Sequence, residues 1–236
     1  MSRVPGKHGR VLSSLAAAVT AAGTVLAGSP AFAGGPATPV IVDTARGSGN
    51  VVSFTFDDGP NPPDTLNLLK VLRKHHVKAV FCLVGDQVRA HPEVVRAIVA
   101  EGHTLCNHSM HHDNMSAWTP EQIRADLAED SALIHQAAGC ARIVYFRAPY
   151  GAWGQSPQVA ADLGMQFLGW RFDIEDWVPP GADVLLQRLR DRITPGAVVL
   201  MHDGGGDRSQ TVAAVDQFIP ELRAEGWRLT LPLPRG

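Results

Sequence analysis

The sequence is poor in cysteine and tyrosine, and has neither a cluster of basic residues nor an apolar run of membrane-spanning length. Three cysteines in 236 residues cannot staple a scaffold, so the fold must rest on a hydrophobic core, which a chain of this length can bury. Lysine and arginine (21) are dispersed and balanced by aspartate and glutamate (23), which argues against nucleic acid or an anionic membrane surface as a partner. The apolar stretch from Val11 to Ala27 falls short of the roughly 18–20 residues a spanning helix needs, and Gly23, Gly28 and Pro30 interrupt or end it. No internal repeat and no second domain are visible.

What stands at the N-terminus reads as an export signal. Arg3, Lys7 and Arg10 make a basic start, the alanine-rich run follows, and Ala31-Phe32-Ala33 is a small-x-small cleavage signature. Residues 1–33 are therefore expected to be a cleaved signal peptide, with the mature chain starting near Gly34, secreted and without a stable membrane anchor. No cysteine stands at the cut to carry a lipid. Loss of three basic residues takes the formal charge from −2 to −5. An oxidising exterior permits one disulfide among Cys82, Cys106 and Cys140, and sequence does not name the pair. Cys82 and Cys106 lie inside apolar, strand-like runs and read as buried thiols filling a core.

Residues 34–50, rich in Pro, Gly, Ala and Ser, form an irregular leader. From 51 to 236 strand and helix patterns alternate. Strands are expected at 51–56, 79–84, 103–107, 143–146, 165–170, 197–201 and 227–231. Helices are expected at 64–74 (on Leu66, Leu69 and Leu72), from Pro92 to Gly102, from Thr119 to Gly139, and at 157–163, 183–191 and 211–225. Thr119 and Gln122 have capping-box spacing. Alternating βα units imply a parallel sheet with helices outside, either a closed or nearly closed barrel or an open doubly wound sheet.

Chemistry-bearing residues fall at the carboxyl ends of the strands. Asp57-Asp58 follows the first, Asn107-His108 the third, Arg147 the fourth, Arg171 to Asp176 the fifth and His202-Asp203 the sixth. A parallel barrel brings these ends to one face. Taken singly each has a bland explanation: Asp-Gly-Pro is turn chemistry, a histidine-rich loop need bind nothing, and a strand-end arginine or histidine is commonly structural. Jointly they suggest two acids with different tasks beside two imidazoles that can share a metal. His108 can pair with either His111 or His112, and two His plus one carboxylate leave positions open, as a catalytic site requires. Imidazole suits zinc, and also Co, Ni or Fe.

In order, Thr55-Phe56-Asp57-Asp58-Gly59-Pro60, His108-Ser109-x-x-His112, Arg147-x-Pro149-Tyr150-Gly151, Asp173-x-x-Asp176-Trp177 and Leu200-x-His202 resemble the five motifs of the NodB-like polysaccharide deacetylases, carbohydrate esterase family four. The resemblance implies an α/β fold, a distorted (β/α) barrel of about seven parallel strands with outer helices, and one divalent metal, usually zinc. It implies Asp58, His108 and His112 as metal ligands, with His111 a bystander, and Asp57 as general base. Arg147 would orient Asp57, His202 would be the general acid, and Asp176 would keep His202 charged. Tyr150 would donate a backbone N–H to the oxyanion, and Trp177 and Leu200 would wall the acetyl pocket. Ala148 departs from a frequent proline. The implied substrate is an acetylated polysaccharide, as an N-acetyl amide of chitin or peptidoglycan or an O-acetyl ester of xylan, acted on by a monomer. Trp118 and Trp153 are further candidates to stack on sugar rings. The rivals are a non-catalytic, metal-bearing sugar-binding domain and an α/β domain that holds no metal.

Overall fold

A computed structural model describes residues 39–234. The expected signal peptide, 1–33, and the first residues of the leader lie outside them. In chain order the elements are β1 (Val51–Gly59), α1 (Asp64–Lys74), β2 (Val80–Leu83), α2 (Gly85–Ala90), α3 (Pro92–Ala100), β3 (Thr104–Asn107), α4 (Pro120–Ala138) and β4 (Ile143–Phe146). They continue with α5 (Ser156–Asp162), β5 (Gln166–Phe167), β6 (Phe172–Asp173), α6 (Ala182–Arg192), β7 (Ala197–His202), α7 (Ser209–Ala224) and β8 (Arg228–Leu229). Among the described residues no helix is long and apolar enough to cross a membrane.

Strands run in the order β5-β4-β3-β2-β1-β7-β6, every pair parallel, and β8 joins the start of β1. The seven-strand path curls with helices around it into a distorted (β/α) barrel, so the barrel and not the open sheet is the observed architecture. Period-2 alternation explains its two apolar layers. Val52, Phe54, Phe56, Phe81, Leu83, Leu105, Val199 and Met201 join the large core with the helices. Their strand neighbours Val80, Cys82, Cys106, Tyr145 and Val198 form a separate, smaller cluster with Val42 and Leu168, the filling of the barrel interior.

Several expectations need correction. Cys82 and Cys106 are fully buried, but as a disulfide and not as free thiols. They are register partners on adjacent strands with Cα atoms 4.2 Å apart, so the pair follows from the β2–β3 register. Cys140 is the exposed free thiol. The run 165–170 is not one strand. It pairs with β4 only at Gln166 and Phe167, and the chain then crosses the seam to pair with β7 as β6. Helix α2 had no periodic signal, being a single short turn-and-a-half after β2. In α1, Leu69 and Leu72 are buried as expected, but Leu68 takes the third core position and Leu66 is exposed. The capping box at Thr119 and Gln122 is present on both sides, and Gly139 closes α4.

The disulfide closes a loop with a sequence separation of 24. Replacing both cysteines by alanine is expected to lower the unfolding free energy by about 3 kcal/mol. The fall would be read as a lower urea midpoint, and an unchanged midpoint would show that the bond contributes nothing in solution.

Candidate active site

The end of β1 begins the site. Asp57 is in register with Cys82 on one side and with His202 on the other, and Asp203 and Gly204 both donate N–H to its carbonyl (3.0 and 3.2 Å). Gly204 lies so close that a Cβ there would sit 2.1 Å from the Asp58 carbonyl oxygen, so only glycine lets the two strand ends meet. Asp58 itself is held in a left-handed backbone conformation (φ 71°), and its carboxylate and that of Asp57 both come near His108 Nε2 (3.4 and 3.5 Å).

The second segment is a loop held in shape from beneath. Asn107 accepts from the Ser109 N–H (3.0 Å) and donates to the Leu127 carbonyl and Ser131 on α4. Ser109 Oγ accepts from the His112 N–H (3.0 Å), and Asp126 accepts from the Met110 N–H (2.9 Å). These bonds hold Ser109 and His112 at positive φ (70° and 59°), conformations that non-glycine residues keep only when their surroundings enforce them.

The result is three converging lone-pair carriers. Asp58, His108 and His112 offer ligand atoms that all lie within 4.8 Å of one another. His108 Nδ1 stands 2.7 Å from the Arg147 carbonyl, which fixes Nδ1 as the protonated nitrogen and leaves the Nε2 lone pair directed at Asp58, 3.4 Å away. His112 Nδ1 contacts the Tyr150 hydroxyl (3.1 Å), and its Nε2 lies 3.2 Å from the same Asp58 oxygen. That oxygen is buried and makes no hydrogen bond. A buried acceptor facing two imidazole nitrogens fits a cation, and the donor set suits a borderline-soft divalent ion such as zinc. Burial opposes charge on Asp58, but the contact and charge of His108, with His202 and His112, hold its carboxyl well below the usual carboxylate range. His111 lies outside this group: its Nδ1 pairs with Asp86 on α2 (2.8 Å), and it is His112 that is grouped with Asp58 and His108.

Asp57 is buried and gripped by Arg147, whose Nη1 donates to Asp57 Oδ1 at 2.6 Å. The guanidinium also donates to the carbonyls of Leu168 (3.3 Å) and Gly169 (3.0 Å) and lies 5.5 Å from the centre of the Trp170 ring. Burial pushes its pKa down, and Asp57 opposes that shift. The other Asp57 oxygen stays on the histidine side, 3.5 Å from His108 Nε2.

Across β1, His202 Nδ1 bonds Asp176 Oδ1 (2.7 Å), while Asp176 Oδ2 accepts from the His202 N–H (2.9 Å) and Thr211 Oγ1 (2.8 Å). Burial alone would depress the His202 pKa, but Asp176, with Asp57 and Asp58, raises it above the ordinary imidazole value. Trp177 stands edge-on to His202, and with Leu200 lines a cavity of about 510 Å³ that also takes in Asp57, Asp58, His112 and Tyr150. Tyr150 has φ 59°. The N–H groups of Gly151 and Ala152 close the turn onto Ala148 and Pro149, whereas that of Tyr150 is not spent in this way.

A family model for polysaccharide deacetylases matches residues 44–168, more than half of the chain. The chain belongs to the polysaccharide deacetylase family. It is 39% identical over 196 residues to a chitooligosaccharide deacetylase of Bradyrhizobium sp. (strain ANU 289), covering 78% of this chain and 89% of that one. It is 33% identical over 181 residues to a peptidoglycan-N-acetylglucosamine deacetylase of Bacillus cereus, covering 75% and 87%. A solved peptidoglycan N-acetylglucosamine deacetylase in complex with 4-naphthalen-1-yl-N-oxidanyl-benzamide superposes with a TM-score of 0.75 at 30% identity, covering 80% and 89%. The protein is thus a carbohydrate deacetylase, a hydrolase, and each motif quoted from its sequence lines the one cavity just described.

The sequence reading overlooked three contributors to this deacetylase site. Trp170 lines the cavity and packs on Arg147, but sat unnoticed at the end of an apolar run. Asp203, seen only as a strand-end neighbour of His202, is buried behind Gly59. Burial pushes its carboxyl up to about 7 against the Thr65 hydroxyl bond (2.6 Å). Thr211, on α7, carried no local signal. Conversely, Trp118 and Trp153 are partly buried against the core and are absent from the cavity lining.

Proposed function

We propose that this deacetylase is a secreted, metal-dependent enzyme that hydrolyses N-acetyl groups of a GlcNAc-containing polymer such as chitin or peptidoglycan. The observation that carries the reading is the placing of a positively biased imidazole, His202, opposite the Asp58–His108–His112 group, with Asp57 between them on β1. Amide cleavage needs such an acid, because an amide anion is a very poor leaving group. The similarity to proteins named chitooligosaccharide and peptidoglycan-N-acetylglucosamine deacetylases supports the same class of substrate. Export is supported by the signal-like N-terminus and by a disulfide that an oxidising compartment would preserve.

Asp58, His108 and His112 would hold the cation, which when bound supplies a Lewis acid that acidifies water and polarises the acetyl carbonyl. Asp57, with one oxygen tied to Arg147, presents the other to the attacking water and takes its proton. The Tyr150 N–H donates to the oxygen that becomes negative as the carbonyl carbon turns tetrahedral, an interaction worth ~3 kcal/mol where such donors have been removed. His202 gives its Nε2 proton to the departing nitrogen, and Asp176 holds the imidazole upright for that transfer. Trp177 and Leu200 confine the acyl group to about the size of acetyl.

Acetate release is the test, measured on chitin oligomers, peptidoglycan and acetylated xylan, with and without a chelator. Release from the amide substrates that stops with chelator and returns with Zn2+ is expected. Release from xylan alone would make the enzyme an O-acetyl esterase, and release indifferent to chelator would remove the metal.

A further inference from the structure

Straddling the start of the residues matched to the family, the leader contributes a short strap, Val42–Arg46, across the seam of the barrel. Its bonds reach both edges. Val42 donates its N–H to the Phe167 carbonyl (2.8 Å) and accepts from the Gly169 N–H (3.0 Å). Asp43 accepts at its carbonyl from the Val198 N–H (3.3 Å), and Ala45 donates to the Gly196 carbonyl (2.9 Å). Arg171 ties the strap down a second time, through the Asp43 carbonyl (3.3 Å) and Thr44 Oγ1 (3.0 Å). The Val42 side chain is 1% exposed and fills the barrel interior beside Leu168 and the disulfide.

The stretch that Val42 brackets, 167–169, runs from the last residue of β5 into the gap before β6, so no named strand pairs with it on the side away from β4. Yet the carbonyls of Leu168 and Gly169 are the two acceptors that, besides Asp57, fix the buried guanidinium of Arg147. A Cβ on Gly169 would stand 2.4 Å from Cγ2 of Ile41, the residue just before the strap. We infer that Val42 is a positioning residue for catalysis: the strap sets the Leu168 and Gly169 carbonyls, these aim Arg147, and Arg147 aims the Asp57 carboxylate. The inference rests on Asp57 acting as the base.

Val42→Ala, Val42→Gly and Val42→Ile, made in the full chain, test it, with melting curves confirming the folded state. Val42→Gly is expected to lose about tenfold or more in kcat with KM within about twofold, because an ångström of misplacement at a reacting group costs orders of magnitude. Val42→Ala should fall between, and Val42→Ile should restore the parent rate. Bound metal should be unchanged throughout, since none of Asp58, His108 and His112 touches the strap. Should Val42→Gly fail to fold, Val42→Ala carries the comparison. Full kcat in folded Val42→Gly and Val42→Ala, or a loss that follows metal content, overturns the inference. Asp57→Asn, assayed alongside, separates the two claims: if it is inactive while the Val42 variants are normal, only the strap's role falls. If Asp57→Asn is active, the base assignment falls first.

Discussion

Asp57→Asn is expected to retain the divalent cation and lose roughly 10³-fold in kcat, within the range a positioned general base contributes. Asp57 is bonded to Arg147, and only Asp58 belongs to the ligand group. Asparagine keeps the shape and can still accept from Arg147 through its carbonyl oxygen, but its amide has no proton affinity to offer an attacking water. A second effect must be separated from the first. Arg147 is 1% exposed, and its charge would then face an uncharged partner. Removing one member of a buried ion pair commonly costs about 3–5 kcal/mol. The melting temperature should therefore fall while the fold persists, and rates must be taken well below it. His108→Ala is the contrasting variant: it removes a ligand, so metal and activity should go together. Elemental analysis beside kcat on a chitin oligomer distinguishes the two patterns. A near-normal rate in metal-loaded Asp57→Asn would take the base role away from Asp57.

How much of this was legible in the sequence follows from where the signal lies. A parallel barrel places every strand's carboxyl end on one face, so Asp57, His108, Arg147, Asp176 and His202 could be gathered from order alone. Nothing in that order could choose between His111 and His112; geometry does, because Asp86 on an unanticipated helix holds His111 away. The leader's place in the barrel was not legible for a related reason. Composition marked it as irregular, and it is, but its few extended residues gain meaning only from the seam that β5 and β6 leave open. The same crossing hid Trp170. The disulfide needed the register of β2 against β3, which periodicity does not give. Thr211 lies 35 residues from the carboxylate it bonds, beyond the reach of any local pattern.

His202→Ala should separate amide from ester chemistry. On an N-acetyl substrate the loss is expected at about 10²–10⁴-fold, the usual worth of a general acid. On an aryl acetate, whose phenolate departs without protonation, the same variant should lose no more than about tenfold. The pH profile gives an independent reading of the same group. With its pKa raised by the bond and charge of Asp176 working against burial, His202 keeps its proton to higher pH than an ordinary imidazole and loses it as pH climbs through the raised value. Amide turnover should accordingly fall on the alkaline side. In Asp176→Asn the supporting charge is gone and burial dominates, so that limb moves to lower pH, whereas aryl acetate turnover should show neither the limb nor its displacement. Thr211 and the His202 N–H still bond the asparagine oxygen, which keeps the loop in place, while the amide NH2 facing His202 Nδ1 adds to the lost charge in disfavouring the imidazolium. Equal losses on amide and aryl ester, with an alkaline limb that ignores Asp176, would mean that the proton reaching the leaving nitrogen comes from somewhere other than His202.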